Sequence, residues 1–220
     1  MLFLAVRVPS TAAARARIAE LAELGPEVKT VRPDGLHLTL RYLGPTPPGS
    51  VDGWRARAAA AARLVPAFPI SLLGLAAFPS PSRPRVLWLG AVGGAADLAR
   101  LAELLSDPSP EGGAGPWVPH CTLARIQGRP PPSVQRLLLA LAREPGAPLV
   151  FTARHLELLE SLPVRGGSNR YRALHRFPLG GGGSPLGGSA PVRVEEGVPA
   201  AAQQLPGPAE EGPDLGAAEK

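Results

Sequence analysis

The chain has 220 residues, is 45% hydrophobic and carries a formal net charge of +5 at pH 7. This length and apolar content suffice for a buried core, in one large domain or two small lobes. A single cysteine excludes an internal disulfide, and no apolar run approaches the roughly 18 residues that a membrane helix needs. We therefore expect a cytoplasmic, monomeric globule without a membrane span.

The positive charge is concentrated in the first four fifths of the chain. Residues 1–179 carry 21 Lys and Arg against 12 Asp and Glu, and all of these cations except Lys29 are arginines. Because the planar guanidinium suits phosphate oxygens, this composition favours a polyanionic partner. A genomic bias that replaces Lys with Arg explains the arginine preference equally well.

The elements of the first half follow from apolar alternation, helix-forming composition and turn residues. Ser10 and Ser50 are the predicted N-caps of two helices, and the Asp34-Gly35 turn leads into a strand. We predict strands over 2–8, 28–32, 36–43, 67–78 and 85–92, and helices over 10–25 and 50–64.

The second half repeats this plan and then changes in composition. We predict helices over 95–105 and 133–143, strands over 117–125, 151–161 and 171–179, a loop over 107–116 and a turn over 166–169. From residue 180 onward Gly, Pro, Ala and Glu dominate, a composition that cannot offset the entropy of ordering. We expect a folded domain over 1–179 and a disordered tail over 180–220.

Each of the two repeated units carries one strand of unusual composition. His37-Leu38-Thr39-Leu40 in the first unit recurs as His120-Cys121-Thr122-Leu123 in the second, which uses two of the four histidines. We call these two segments the His-x-Thr boxes. Side chains alternate along a strand, so each box presents its His and Thr on one face and its two apolar residues on the other. Cys121 is therefore expected to be a small buried hydrophobe. We predict an α+β protein that is bilobal, with antiparallel sheets, flanking helices, an approximate internal two-fold axis and a cleft between the sheets.

Two imidazoles across a cleft can transfer protons in opposite directions. In a displacement at phosphorus, one His takes a proton from water while the other gives one to the departing oxygen, without a metal. The hydroxyls of Thr39 and Thr122 can donate to the phosphoryl oxygens, and Arg125 can neutralise their charge. Arg41 shares the strand parity of His37 and is a further candidate for the cleft.

The flanks of the boxes resemble those of a known family. Residues 31–44 (VRPDGLHLTLRYLG) and 119–125 (PHCTLAR) look like the 2H phosphoesterase superfamily, and most closely the RNA 2',3'-cyclic phosphodiesterases, historically called 2'-5' RNA ligases. Further similarity lies in residues 2–6, 85–90 and 171–179, so the resemblance covers about 1–179. Tyr42 occupies a position that is often Phe in this family, and we predict that it packs in the core.

The resemblance implies an activity and roles for the residues. It implies hydrolysis of an RNA 2',3'-cyclic phosphate end to a 2'-phosphate, with no cofactor and no metal. His37 would be the proton donor to the 3' oxygen and His120 the proton acceptor from water. Thr39, Thr122 and Arg125 would hold the phosphate. The spacing of the boxes does not distinguish acid from base, and reversible 2'-5' ligation would use the same site.

Three other interpretations compete with this one. A lone strand histidine is usually structural, but the repeated box with its matched Thr argues against that explanation. Zinc sites usually have three or four protein ligands, but Cys121 faces away from His120 and neither box contains a carboxylate. An RNA-binding or tRNA-processing module without significant hydrolysis is the remaining alternative, although such a cleft needs Arg and aromatic residues more than paired imidazoles.

Overall fold

The computed structural model describes residues 1–106, 117–165 and 167–180. Within these ranges the chain forms nine strands and four α-helices. The strands are β1 Leu2–Arg7, β2 Val28–Thr30, β3 His37–Gly44, β4 Phe68–Ser80, β5 Arg83–Gly93, β6 His120–Ile126, β7 Leu149–Ala153, β8 His155–Leu162 and β9 Arg170–Pro178. The helices are α1 Ala12–Ala22, α2 Pro48–Leu64, α3 Ala95–Leu105 and α4 Pro132–Arg143, and a 3-10 turn spans Pro33–Gly35.

The first two helices begin differently from the prediction. Thr11, not Ser10, is the N-cap of α1, and its hydroxyl accepts a hydrogen bond from the Ala14 amide. Helix α2 starts at Pro48 and has no side-chain cap, so Ser50 lies inside its first turn. Proline is well suited to the first helical position because its missing N–H has no intrahelical partner there and its φ is already helical.

All described strand pairs are antiparallel and form one continuous sheet. The strand order is β7-β4-β5-β6-β3-β1-β8-β9, and β2 also pairs with β6. The β3–β6 junction is a single ladder pair, Leu38 with Cys121. This junction divides the sheet into a half of four strands outward from β3 and a half of five strands that comprises β6, β5, β4, β7 and β2. The predicted α+β class with antiparallel pairing is confirmed, but the two predicted sheets are joined into one.

The two halves are related by an approximate two-fold arrangement with exchanged strands. The unit β1-α1-β3-α2-β4 corresponds to β5-α3-β6-α4-β8, and the last strand of each unit joins the half built by the other. The helices follow the same rule, since α1 contacts β6 while α3 contacts β3, and α2 contacts β8 while α4 contacts β4. Each half therefore holds one His-x-Thr box.

The two faces of the sheet differ in what covers them. On one face a single cluster of buried apolar residues joins all four helices to the strands, and it includes Leu38, Leu40, Cys121 and Leu123 of the boxes. Burial of these residues is the main favourable contribution to folding. On the other face lies a small second cluster, Phe3, Ala5 and Leu159 with Tyr171 against it. The predicted burial of Cys121 is confirmed, at 0% exposure.

One further prediction about the strands is wrong, and three others concern residues outside the described ranges. The single strand predicted over 151–161 is wrong, because the chain forms β7, which pairs with β4, and then β8, which pairs with β1. The loop over 107–116, residue 166 of the predicted turn and residues 181–220 of the predicted tail lie outside the described residues. No helix in the described ranges is long and apolar enough to cross a membrane.

Candidate active site

The His-x-Thr boxes meet at the junction of the two half-sheets. Because Leu38 pairs with Cys121 in an antiparallel register, the next positions place His37 across from Thr122 and Thr39 across from His120. Both histidines and both threonines are half-buried. Trp117 ties the junction together, since its indole Nε1 donates to the Thr39 carbonyl at 3.2 Å. The structure thus brings all four predicted polar side chains together.

Both imidazoles are oriented by the same kind of hydrogen bond, between Nδ1 and a nearby backbone carbonyl. The Nδ1 atom of His37 lies 2.7 Å from the Gly35 carbonyl oxygen, and the Nδ1 atom of His120 lies 2.9 Å from the Val118 carbonyl oxygen. A carbonyl oxygen can only accept, so each Nδ1 carries the hydrogen and donates it two residues back. In a neutral ring this leaves the lone pair on Nε2, which is the atom that can exchange a proton with a substrate.

Aromatic rings surround each imidazole on its own side. The His37 ring contacts Phe3 and Tyr171, with centroids 4.9 Å and 4.8 Å away. The His120 ring contacts Phe78 and Trp88, at 5.1 Å and 5.8 Å. Phe78 and Trp88 are themselves buried, at 7% and 6% exposure. These contacts fix the ring orientations and remove water from both imidazoles.

Loss of water and nearby cations lower both histidine pKa values. Burial lowers the pKa of His37 to about 4, although the bond to the Gly35 carbonyl acts in the opposite direction. Arg7, His120 and Arg125 add smaller repulsive effects on a charged His37. Burial and Arg125 likewise lower the pKa of His120. In the ligand-free protein both imidazoles are therefore mainly neutral near pH 7.

A β-bulge follows the Thr in each box and decides which arginine faces the cleft. In β6 the register with β5 shifts after Thr122, so Leu123 and Ala124 both join the core and Arg125 returns to the cleft face. Its positive charge contributes to the lowered pKa values of both imidazoles, so Arg125 is close enough to act on the pair. Trp88, which pairs with Thr122, forms part of the same face.

The matching bulge in β3 contradicts two predictions. The register with β1 shifts between Thr39 and Arg41, so Arg41 turns to the helix side, where its guanidinium lies 6.0 Å from the Trp54 ring. Arg41 therefore does not share the face of His37. Tyr42 then pairs with Phe3 and is 48% exposed, so its predicted place in the core is wrong. Tyr42 occupies in β3 the position that Arg125 occupies in β6.

Arg7 and Glu157 are site residues that the sequence reading missed. Glu157 is 3% exposed, and its two carboxylate oxygens accept from Arg7 at 3.2 Å and from Arg176 at 2.9 Å. Arg7 also donates to the carbonyl oxygens of Asp34 and Tyr171, at 2.7 Å and 3.0 Å. Arg7 thereby links two elements that contact His37. One is the turn that orients the imidazole, and the other is β9, whose Tyr171 ring packs against it. The apolar signature of β1 gives no sign of this role.

Metal-ligating residues do not cluster in the described part of the chain. Residues 1–106, 117–165 and 167–180 contain no group of three or more His, Cys, Asp or Glu side chains that could hold a metal ion. Burial raises the pKa of the Cys121 thiol to about 12, so this side chain stays protonated. His155 and His175 lie on β8 and β9 and are not among the rings that contact the two central imidazoles.

Comparison with known proteins identifies the family of this chain. The family model of the 2'-5' RNA ligase superfamily matches residues 8–164. An RNA 2',3'-cyclic phosphodiesterase of Aeropyrum pernix is 38% identical over 125 residues, which cover 54% of this chain and 69% of that protein. The enzyme of the same name from Aquifex aeolicus is 32% identical over 128 residues, covering 56% of this chain and 68% of that protein.

Solved structures give the same result. A Thermus thermophilus protein superposes with a TM-score of 0.61 and 28% identity, over 82% of this chain and 98% of that one. Escherichia coli LigT complexed with NADP+ superposes with a TM-score of 0.59 and 27% identity, over 81% and 97%. The chain therefore belongs to the 2'-5' RNA ligase superfamily, which is part of the 2H phosphoesterases.

Proposed function

We propose that this protein is an RNA 2',3'-cyclic phosphodiesterase, which opens the cyclic phosphate at an RNA end to a 2'-phosphate without a metal ion. The observation that carries the proposal is the pair of imidazoles, each fixed through Nδ1 and each beside the other box's Thr. The relatives from Aeropyrum pernix and Aquifex aeolicus bear the same activity in their names. LigT has been crystallised with 3'-AMP and with phosphate, which fits a nucleotide site in this fold.

The proposed reaction is an in-line displacement at phosphorus. Nε2 of His120 takes a proton from water as its oxygen bonds to phosphorus. The bond from phosphorus to the 3' oxygen breaks on the opposite side, and Nε2 of His37 gives that oxygen a proton. His37 must be charged for this step. The anionic cyclic phosphate favours the charged imidazole and so raises the pKa of His37 when it binds.

The other polar residues of the cleft act on the phosphoryl oxygens. In our proposal the hydroxyls of Thr39 and Thr122 donate to the two non-bridging oxygens, where negative charge builds in the transition state. The guanidinium of Arg125 neutralises that charge, because two charged donors from one planar group suit a phosphate. An RNA 5'-hydroxyl in place of water, in the same sequence of steps, would give a 2'-5' linkage at the same atoms.

One assay tests the reaction class and the site together. We would follow hydrolysis of adenosine 2',3'-cyclic phosphate in excess EDTA and identify the product isomer, with His37→Ala, His120→Ala and His155→Ala beside the wild type. Loss of the acid or the base should lower kcat by about 10²- to 10⁴-fold, because each acts in the transition state. His155→Ala, a strand histidine outside the cleft, should keep the wild-type rate.

The alternatives make different predictions in the same assay. Substrate affinity in the two cleft variants should stay within about tenfold, since acid and base act mainly in the transition state. Turnover that needs added zinc or manganese would contradict the metal-free mechanism. Tight binding without any turnover would favour the RNA-binding module. The RNA partner, the cytoplasmic location and the monomeric state remain predictions, and sedimentation equilibrium would test the last.

A further inference from the structure

A polar pocket lies beside the His37 half of the site. It has a volume of about 220 Å³ and is lined by Arg32, Asp34, Gly35, Asn169, Arg170 and Tyr171. It is therefore formed by the 3-10 turn that precedes β3 and by the start of β9. None of its lining residues belongs to a His-x-Thr box, so the reaction proposed above does not use it.

Two lining residues touch His37 directly and connect the pocket to the reaction centre. The Gly35 carbonyl accepts the hydrogen of His37 Nδ1, and the Tyr171 ring lies edge-on to the imidazole. Space between them is tight, since a Cβ at Gly35 would lie 3.2 Å from the Tyr171 ring. A group bound in the pocket is thus one residue away from the proton donor.

The pocket carries a net positive charge. Arg32 donates to both oxygens of Asp34, at 3.1 Å and 3.2 Å, and this bond holds the pKa of Asp34 below its usual range. The Arg32–Asp34 pair is therefore neutral as a unit. Arg170 is exposed and forms no ion pair with a carboxylate of the described residues. Next to it the Asn169 side-chain Nδ2 donates one hydrogen to the Ser161 hydroxyl at 3.0 Å, which leaves its second hydrogen for a ligand.

The two histidines differ in their strand neighbours. Gly90 of β5 pairs with His120, whereas Arg7 of β1 pairs with His37. Arg125 of β6 supplies a cation within the cleft, and Arg170 supplies an exposed cation farther out, on the His37 side. A polyanionic chain that leaves the cleft past His37 therefore meets a second cation.

Reaction geometry places the RNA chain on the charged side. In an in-line displacement the attacking water and the departing 3' oxygen lie on opposite sides of phosphorus, so the ribose lies on the side of the acid, His37. The 3' carbon of that ribose is bonded to the 4' carbon, which carries the 5' carbon and, through the 5' oxygen, the next phosphodiester. The upstream chain consequently leaves past His37, towards the turn and β9.

From the pocket and this geometry we infer that Arg170 and Asn169 bind the phosphodiester immediately upstream of the terminal nucleotide. The inference rests on the proposed function and names its substrate class, oligoribonucleotides rather than mononucleotides. Arg170 supplies the charge, Asn169 a hydrogen bond, and Tyr171 the wall between this phosphate and His37. Asp34 repels the bound phosphate and keeps Arg32 in an ion pair. Both effects lower the affinity of the pocket for the phosphate.

The test compares two substrates with the same reacting nucleotide. Adenosine 2',3'-cyclic phosphate has no upstream phosphodiester, whereas the dinucleotide ApA 2',3'-cyclic phosphate has one. For the wild type kcat/KM should be about tenfold or more higher for the dinucleotide, because its upstream phosphodiester gains charge-assisted hydrogen bonds that the mononucleotide lacks. Arg170→Ala should remove most of that preference and leave the mononucleotide rate within about twofold.

Matched variants distinguish the effect of this pocket from a general effect of positive surface charge. Arg172→Ala removes another exposed arginine of β9, one that pairs with Glu160 outside the pocket, and it should keep the wild-type preference. Asp34→Asn should increase the preference, because it removes a negative charge and frees Arg32. The dinucleotide rate should also fall less steeply with salt in Arg170→Ala, by about 0.7 in the slope of log(kcat/KM) against log[salt].

The outcomes distinguish this inference from the proposed function. Hydrolysis of both substrates with no dinucleotide preference, or with a preference that survives Arg170→Ala, would overturn the pocket assignment and leave the activity intact. An equal loss in Arg172→Ala would overturn it too. Failure of the wild type to hydrolyse either substrate in EDTA would overturn the proposed function, and this inference with it.

Discussion

The protonation of the two imidazoles controls the reaction at the scale of single residues. The acid must be charged and the base neutral, yet burial makes both rings mainly neutral near pH 7. The free protein thus holds the base ready and must charge the acid. The bound anionic substrate raises the pKa of His37, and the proton that charges this imidazole comes from solvent.

The pH dependence of kcat/KM should reflect the two lowered pKa values. This parameter reports on the free enzyme, and the fraction with one imidazole charged and one neutral is largest between the two pKa values. The pKa of His37 is about 4 and that of His120 is also below its ordinary value of 6.5. The optimum should therefore lie below pH 6.5, with falling activity above it. Initial rates with a mononucleoside cyclic phosphate between pH 3.5 and 8 measure this. An optimum at pH 7 or higher would contradict the assigned environments.

At the scale of elements, the two β-bulges determine which side chains reach the cleft. A regular strand would place Thr122 and Arg125 on opposite faces, since they are three positions apart. The extra residue in each bulge reverses the parity, which brings Arg125 to the cleft and turns Arg41 away from it. The two arginines close to the boxes thus have unlike surroundings.

This difference makes Arg41 the natural control for Arg125. Arg125→Ala should lower kcat/KM for a cyclic phosphate by about 10²-fold or more, because a charge partner of the phosphoryl oxygens is lost. It should also raise both histidine pKa values and shift the alkaline limb of the pH profile upward. Arg41→Ala removes packing against Trp54 and should affect thermal stability more than KM. Equal kinetic losses in the two variants would show that the bulge does not separate their roles.

The bulges also show why strand patterns predict only part of this site. Alternation of residue types along a strand is a local property. It predicts which side chains of each box face the cleft, and it predicts the burial of Cys121. A bulge depends on the partner strand, so the positions of Arg41 and Tyr42 could not be predicted from their own neighbours. Arg7 was missed for the same reason, since its partners Asp34, Glu157 and Tyr171 lie far away in the chain.

Three strands and the turn before His37 are joined by the buried carboxylate of Glu157 and its arginines. Arg7→Ala should cost about 3 kcal/mol of unfolding free energy, because removal of one partner leaves a buried charge poorly compensated. It should also lower kcat, since the turn and Tyr171 lose a common anchor. Arg176→Ala is the control, because its side chain is 61% exposed and its contribution should be about 1 kcal/mol or less. Urea unfolding beside turnover measures both effects, and similar losses in the two variants would refute this ranking.

At the scale of the whole molecule, the two halves are interlaced. Each repeated unit gives its last strand to the other half, and one apolar cluster runs through both. The repeated boxes allowed the internal symmetry to be predicted. The exchange of β4 and β8 was not predictable, because pairing between distant strands depends on the assembled core and leaves no local pattern. Neither half can complete its sheet without the other.

The interlaced core should make residues 1–180 unfold as a single unit. Leu179 is 8% exposed and belongs to the core, and the Gly180 amide donates to the Ala62 carbonyl, so the folded contacts extend to this point. The composition beyond it predicts no contribution to the core. A chain ending at Gly180 should therefore show the same single calorimetric transition as the full chain, with equal van't Hoff and calorimetric enthalpies and unchanged turnover of a mononucleoside cyclic phosphate. Two transitions would mean that the halves unfold separately, and a lower midpoint after truncation would mean that residues 181–220 stabilise the fold.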